Sequence, residues 1–294
     1  MKILLTGVTG YIGKRLLPLL LEQNHEVFCC LRDKNRFYYP KMLENKIHVI
    51  EVDFLKKETL KIIPKDIDAA YYLVHSMSDS VDNYDELEHT SANNFVKRIN
   101  QTNAKQVIYL SGIVNSNSLS KHLSSRKHVE EILNTGKFAT TTLRAGIIIG
   151  SGSASFEIIR DLVNKLPFMI APKWINTKCQ PIAISDVLQF LSKSLLNPLT
   201  YNQSFDIGGS DVLTYKDMLM GFAEAKKIKR WIFSVPVMTP KLSSYWLYFI
   251  TSTSYKLASA LVSSMKVEVI CRDSKINMLL DINPMSYKEA LSKA

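Results

Sequence analysis

Near the amino terminus, Thr6-Gly7-Val8-Thr9-Gly10-Tyr11-Ile12-Gly13 places a glycine at every third position. Glycine is required where a backbone turns sharply with positive φ, and where it must approach a pyrophosphate closely. The string follows a short apolar run, residues 2–5, and opens residues 12–21, where apolar side chains recur at helical spacing. Strand, glycine turn and helix in that order aim the first N–H groups of the helix at an anion. The chemistry expected of Thr6, Gly7, Thr9, Gly10, Tyr11, Ile12 and Gly13 is therefore dinucleotide binding. The competing reading is a plain strand-to-helix turn.

The second apolar run, residues 27–31, ends at Arg32, followed by Asp33, Lys34 and Arg36. A carboxylate at this place holds the ribose 2′-hydroxyl of NAD, whereas a basic residue accommodates the 2′-phosphate of NADP. A guanidinium pairs bidentately with phosphate, so Arg32 points to NADP as the cofactor. NAD stays open as the alternative, with Asp33 on the ribose.

These residues need a scaffold, and the rest of the pattern supplies one. Apolar runs recur at 47–52, 69–74, 106–110 and 140–149, with helical stretches at 83–100 and 123–133 between them. The alternation predicts a Rossmann-type α/β fold, a doubly wound parallel sheet, over residues 1–150. After Gly150 the rhythm changes. A helix is expected at 154–166, a strand at 180–184 leading into a helix at 186–196, strands at 204–207 and 266–272, and an aromatic helical stretch at 243–265. Residues 151–294 are read as a small C-terminal α/β substrate lobe, packed as one unit with the first region across the carboxyl ends of the strands.

Bulk properties narrow the partners. The 294 residues carry a formal charge of +10, but the basic side chains are scattered, so a solvated cationic surface is expected and no nucleic acid. The four cysteines, Cys29, Cys30, Cys179 and Cys271, form no CxxC or Cys/His cluster, and Glu157, Asp161 and Asp186 lack ligand spacing. No metal site is expected. A strand beginning at Lys2 leaves no room for a signal peptide, and no apolar run reaches the length of a spanning helix, so the expected location is cytoplasmic.

The motifs together resemble the short-chain dehydrogenase/reductase superfamily. TGVTGYIG is similar to the TGxTGxxG turn of its extended and atypical branches, AYYLVHSM to the fourth strand, QPIAISDVLQFL to a segment where an acid starts a helix, and FDIGG to a late strand ending in glycines. Among atypical members the likeness is to those described as NmrA-like or YbjT-like, which include a cofactor-holding accessory subunit of respiratory complex I. The resemblance implies that Asp53, beside Phe54, contacts the adenine, and that Val74 and Ser111 end strands lying along the cofactor. It also exposes departures. The catalytic YxxxK pair of active relatives falls on His122 and Arg126 within HLSSRKHVE, whose trailing Glu130 is retained, and the catalytic serine falls on Ile113.

His122 is a candidate proton donor because histidine titrates near neutrality. Arg126 is a candidate holder of the nicotinamide ribose or of an anionic substrate group. His75, at the end of the fourth strand, is a rival donor. The alternative is that His122 and Arg126 are solvated residues on the first turn of a helix. Tyr245, Trp246, Tyr248 and Phe249 are expected in a packing helix, in an apolar substrate pocket, or in peripheral membrane or protein contact. Two functions lead: an NAD(P)H-dependent oxidoreductase acting on a carbonyl, quinone or enone, and a non-catalytic NADP(H)-binding protein that senses redox state or supports assembly. A third, a sugar-nucleotide epimerase as in extended relatives, is disfavoured because that reaction needs the missing base.

Overall fold

The computed structural model of the chain describes residues 1–39, 45–74, 84–113, 121–235, 265 and 267–294. Strands and helices alternate first as β1 (Lys2–Thr6), α1 (Tyr11–Glu22), β2 (Glu26–Leu31), β3 (Ile47–Glu51), β4 (Ala69–Tyr72), α2 (Tyr84–Ile99), β5 (Gln106–Gly112), α3 (Lys121–Leu133) and β6 (Ala139–Ala145). Then come β7 (Ile148–Ile149), α4 (Ala154–Lys165), β8 (Phe168–Pro172), β9 (Lys178–Cys179), β10 (Ile182–Ala183) and α5 (Ile184–Lys193). The chain continues through β11 (Gln203–Ile207), β12 (Leu213–Thr214), α6 (Tyr215–Ala225), β13 (Trp231–Val235), α7 (Lys275–Leu280) and α8 (Tyr287–Ser292).

Seven strands form the main sheet in the order β11-β6-β5-β4-β1-β2-β3. β1 runs parallel to β2 and β4, β2 to β3, and β4 to β5. The chain winds outward from β1 to β3, then returns to β4 on the other side of β1. This makes the carboxyl ends of β1 and β4 the switch point where such sheets bind ligands. The predicted doubly wound parallel sheet is the one observed. β1 and β4 are buried almost throughout, as strands covered on both faces must be. α1 buries Gly13, Leu16, Leu17 and Leu20 as one stripe, while Pro18 sits on its exposed side.

Two compact units divide the chain. The first comprises Met1–Ser111, Ser124–Arg144 and Leu188–Phe205, with a core that includes Leu4, Phe28, Tyr72, Phe95 and Val107. The second comprises Gly112–Leu123, Ala145–Val187 and Asp206–Ala294, with a core that includes Phe156, Leu162, Met218, Phe222 and Tyr287. In the second unit the Tyr287 hydroxyl donates to the Met218 carbonyl at 2.9 Å, which locks α8 to α6.

Some boundaries differ from the sequence reading. The run 140–149 is broken between β6 and β7, where Gly146 packs so close to the Gln180 carbonyl that a Cβ would stand 2.8 Å from it. The strand expected at 180–184 shrinks to Ile182–Ala183, consistent with Pro181 lacking an N–H to donate. In place of a strand at 266–272, the described residues show an isolated bridge between Val269 and Cys179. The aromatic stretch 243–265, except Met265, lies outside the described residues. No described helix is long and apolar enough to cross a membrane. All four cysteines are free, and burial pushes the thiols of Cys29, Cys179 and Cys271 up to about 12.

Candidate functional site

The turn from β1 to α1 answers two separate steric demands. Gly7 has φ +67, and a Cβ there would lie 2.4 Å from the Leu73 carbonyl oxygen. A Cβ on Gly13 would lie 2.3 Å from the Gly7 oxygen. Both glycines thus permit the close packing of the turn against α1 and against the chain leaving β4. Gly10 is different: it is exposed, and among the described residues an added Cβ would meet just the Gly7 oxygen, at 3.1 Å. Its missing side chain keeps the outer face of the turn clear. The Gly10 N–H closes the turn onto the Gly7 carbonyl at 2.9 Å, and the Lys14 N–H starts the helix on the Gly10 carbonyl at 3.0 Å.

α1 begins without a side-chain cap, and no acidic residue lies in its first turn. Its first N–H groups and the positive end of its dipole therefore suit an anion at this place. The cleared glycine and the uncapped, acid-free helix start fit the pyrophosphate of a dinucleotide.

The flanking residues divide into those that build the turn and those that face outward. The Thr6 hydroxyl donates to the Tyr71 carbonyl and accepts from the Leu73 N–H, both at 2.9 Å, so Thr6 ties β1 to β4. Thr9 is exposed, and Tyr11 and Ile12 are half-buried. The Arg15 guanidinium lies 4.0 Å from the centroid of the Tyr11 ring. At the end of β2, Arg32 is exposed, while the Asp33 carboxylate accepts the Asn35 N–H at 3.0 Å and caps a short 3-10 turn at Lys34–Arg36.

Beyond β3, the Asp53 carboxylate accepts the Leu55 N–H at 3.0 Å. The Phe54 ring packs edge-on against Tyr72 and Phe95, and its carbonyl accepts from the Asn94 amide at 2.8 Å. Ring and carbonyl are both engaged by the core. Val74 is partly buried at the carboxyl end of β4, and Ser111 is buried near the end of β5.

Arg126 is half-buried, and its Nη1 donates to the Leu110 carbonyl at 3.1 Å, which anchors the guanidinium to the end of β5 one residue before Ser111. The Tyr109 hydroxyl donates to the Arg126 carbonyl at 3.4 Å. Burial pushes the Tyr109 phenol up, opposed by the Arg126 charge and the Ser111 hydroxyl. Arg126 and Ser111 are thus brought to one strand end. The side chain of His122 and all of His75 lie outside the described residues. Ile113, in the serine position, is buried, and its N–H donates to the Ala145 carbonyl at 3.2 Å.

Two groupings escaped the sequence reading. Glu130, the trailing residue of HLSSRKHVE, is held by a charge partner: Arg144 Nη2 and Nε donate to its carboxylate at 2.6 and 3.1 Å, and the Ser204 hydroxyl donates at 2.5 Å. Asp85, His89 and His128 also meet, although no metal cluster was expected. The Asp85–His89 spacing marks a helix face, but His128 joins them through packing that no spacing encodes.

The profile of a family described as NAD(P)H-binding matches residues 7–153, half of the chain. No curated protein matches it. Among solved structures, a triphenylmethane reductase of Citrobacter sp. complexed with NADP(H) is similar over all of both chains, with 14% identity and a TM-score of 0.80. An NADPH-dependent quinone oxidoreductase from Escherichia coli, complexed with NADPH, is similar over 99% of this chain and 98% of its own, with 14% identity and a TM-score of 0.77. A nucleoside-diphosphate-sugar epimerase from Staphylococcus aureus is similar over 99% of each chain, with 16% identity and a TM-score of 0.77. At these identities the likeness is one of fold.

Proposed function

Because the chain belongs to the NAD(P)H-binding family, we propose that it is an NADPH-dependent oxidoreductase that reduces a carbonyl, quinone or enone. The observation that carries NADPH over NADH is the pair at the end of β2. Arg32 is exposed where a 2′-phosphate would arrive, and the carboxylate of Asp33 is already engaged by the Asn35 N–H. The amides at the start of α1 hold the pyrophosphate, Gly10 admits it, and Thr9, Tyr11 and Ile12 border it. Asp53 and the backbone at Phe54 flank the adenine, and Val74 and Ser111 lie along the nicotinamide. When bound, the reduced nicotinamide supplies a hydride to an electron-poor carbon of the substrate. Arg126, anchored on Leu110, holds an anionic group or the ribose, and His122 donates the proton that completes the reduction. Two proteins of the same fold are named for reducing a quinone and triphenylmethane dyes, which supports a conjugated acceptor.

A second reading, a cofactor-binding sensor or assembly factor without turnover, is favoured by one observation. The arginine at the lysine position of the catalytic pair has a structural task, holding the end of β5 through the Leu110 carbonyl.

Titration with NADPH and NADH, followed by turnover on a panel of quinones, enones and aldehydes, tests both readings. Arg32→Ala is expected to weaken NADPH by about one to two orders of magnitude, the value of a charge-assisted bond of roughly 1.5–3 kcal/mol, and to leave NADH nearly unchanged. Equal losses for the two cofactors would remove Arg32 from the site. Tight NADPH binding without oxidation by any acceptor would select the second reading.

A further inference from the structure

A second group of ligand-type side chains lies between α2 and α3, apart from the glycine turn. Asp85 is in the first turn of α2 and His89 follows one turn later on the same face. His128 meets them from α3, its ring centroid 5.0 Å from that of His89 and its plane nearly perpendicular at 78°. One potential ligand atom from each of the three lies within 4.8 Å of the others. Two ring nitrogens, Nε2 of His89 and Nδ1 of His128, are closed off from solvent and have no hydrogen-bond partner among the described residues. Buried polar atoms are normally paired, so two such nitrogens in one cluster call for a partner that accepts their lone pairs or takes their N–H.

We propose that Asp85, His89 and His128 bind a divalent transition-metal ion of the zinc class, which clamps α2 to α3. Two imidazoles and one carboxylate suit zinc and its neighbours, whereas magnesium and calcium take oxygen ligands throughout. Three protein ligands leave the fourth tetrahedral position to water, and the exposed Asp85 gives the ion an entry path. Metal–ligand bonds near 2.05 Å place tetrahedral ligands about 3.3 Å apart, so side-chain rotation closes the remaining gap. The backbone is already aligned: next to the two histidines, buried Glu88 and Ser125 join the same helices through a 2.5 Å hydrogen bond from the serine hydroxyl. The ion stiffens the helix that carries Arg126, and its binding is independent of the cofactor reading.

The test uses untagged, chelator-treated protein, titrated with zinc(II) by calorimetry and followed by thermal melting. Wild type is expected to take one equivalent of zinc at this site and to melt at a higher temperature with zinc than without. His89→Ala and His128→Ala are expected to weaken binding at least about tenfold, the loss that even outer-shell partners cause, and to remove the melting shift. No binding by wild type, or unchanged binding in both variants, would overturn the proposal. If either histidine variant fails to fold by circular dichroism, cobalt(II) absorption of wild type and Asp85→Asn decides. The exposed Asp85 is expected to tolerate the change while the tetrahedral cobalt bands weaken; identical spectra would overturn the clamp.

Discussion

Gly7, Gly10 and Gly13 are one residue type under three constraints, and substitution separates them. Gly7→Ala forces a left-handed conformation costing about 1–2 kcal/mol, before its Cβ meets the Leu73 carbonyl. Gly13→Ala drives a Cβ into the Gly7 carbonyl inside the first turn of α1. Both are expected to lower the urea midpoint. Gly10→Asp brings its Cβ, among the described residues, against the Gly7 oxygen alone, at 3.1 Å, a contact that a shift of a few tenths of an ångström relieves. It is therefore expected to keep that midpoint nearer wild type than the other two and to abolish NADPH binding by bringing like charge to the pyrophosphate. A folded Gly10→Asp variant that binds NADPH normally would remove the pyrophosphate from this turn. The proton donor is a second residue-scale matter. His122→Phe is expected to lower turnover by roughly a hundredfold with little change in NADPH affinity. Unchanged turnover would pass the role to another group, and His75→Ala is the first rival to assay.

Among elements, α3 is the one whose attachment matters most to the proposed reaction, because it carries both His122 and Arg126. Glu130 on α3 and Arg144 on β6 form an ion pair whose side chains are 8% and 19% exposed. Arg144→Ala leaves a nearly buried carboxylate without its charge partner and is expected to cost about 3–5 kcal/mol in urea unfolding. Adding Glu130→Gln to that variant should cost much less than the single substitutions predict together. Additivity within about 0.5 kcal/mol would mean that the two side chains act separately. This pair also shows where sequence reading stops. The glycine turn was legible because its chemistry is written in consecutive residues, and the order of strands and helices because apolar periodicity is local. Nothing in the sequence pairs Arg144 with Glu130, which reads merely as the end of a motif, because their meeting depends on how α3 packs against β6. The His89–His128 contact was hidden for the same reason, and so was the break at Gly146, which answers to the Gln180 carbonyl on another segment.

For the molecule as a whole, a formal charge of +10 rises further as carboxylates take up protons, and the growing self-repulsion lowers stability in acid. Asp186 runs against that trend. It is 1% exposed, and its Oδ2 accepts the Met285 N–H at 2.8 Å. Burial raises its pKa above 3.8; the Met285 hydrogen bond and the Lys293 charge oppose the rise without cancelling it. Its position in the first turn of α5 also favours the charged form, through the helix dipole. A carboxyl whose folded pKa lies above its unfolded value binds its proton more tightly in the folded chain. The stability this contributes is complete below 3.8 and is lost as pH rises through the raised folded value. Asp186→Asn keeps an oxygen for the Met285 N–H but carries no charge at any pH. The variant is therefore expected to match wild type most closely in acid, to gain on it as pH rises through the folded pKa, and to hold a constant advantage near neutrality. Urea unfolding of both proteins across roughly pH 3 to 7 measures the difference directly, since contributions from all other groups cancel. A difference that does not change with pH, or that favours wild type increasingly toward neutrality, would mean that the dipole of α5 and the Met285 N–H stabilise the carboxylate more than burial penalises it.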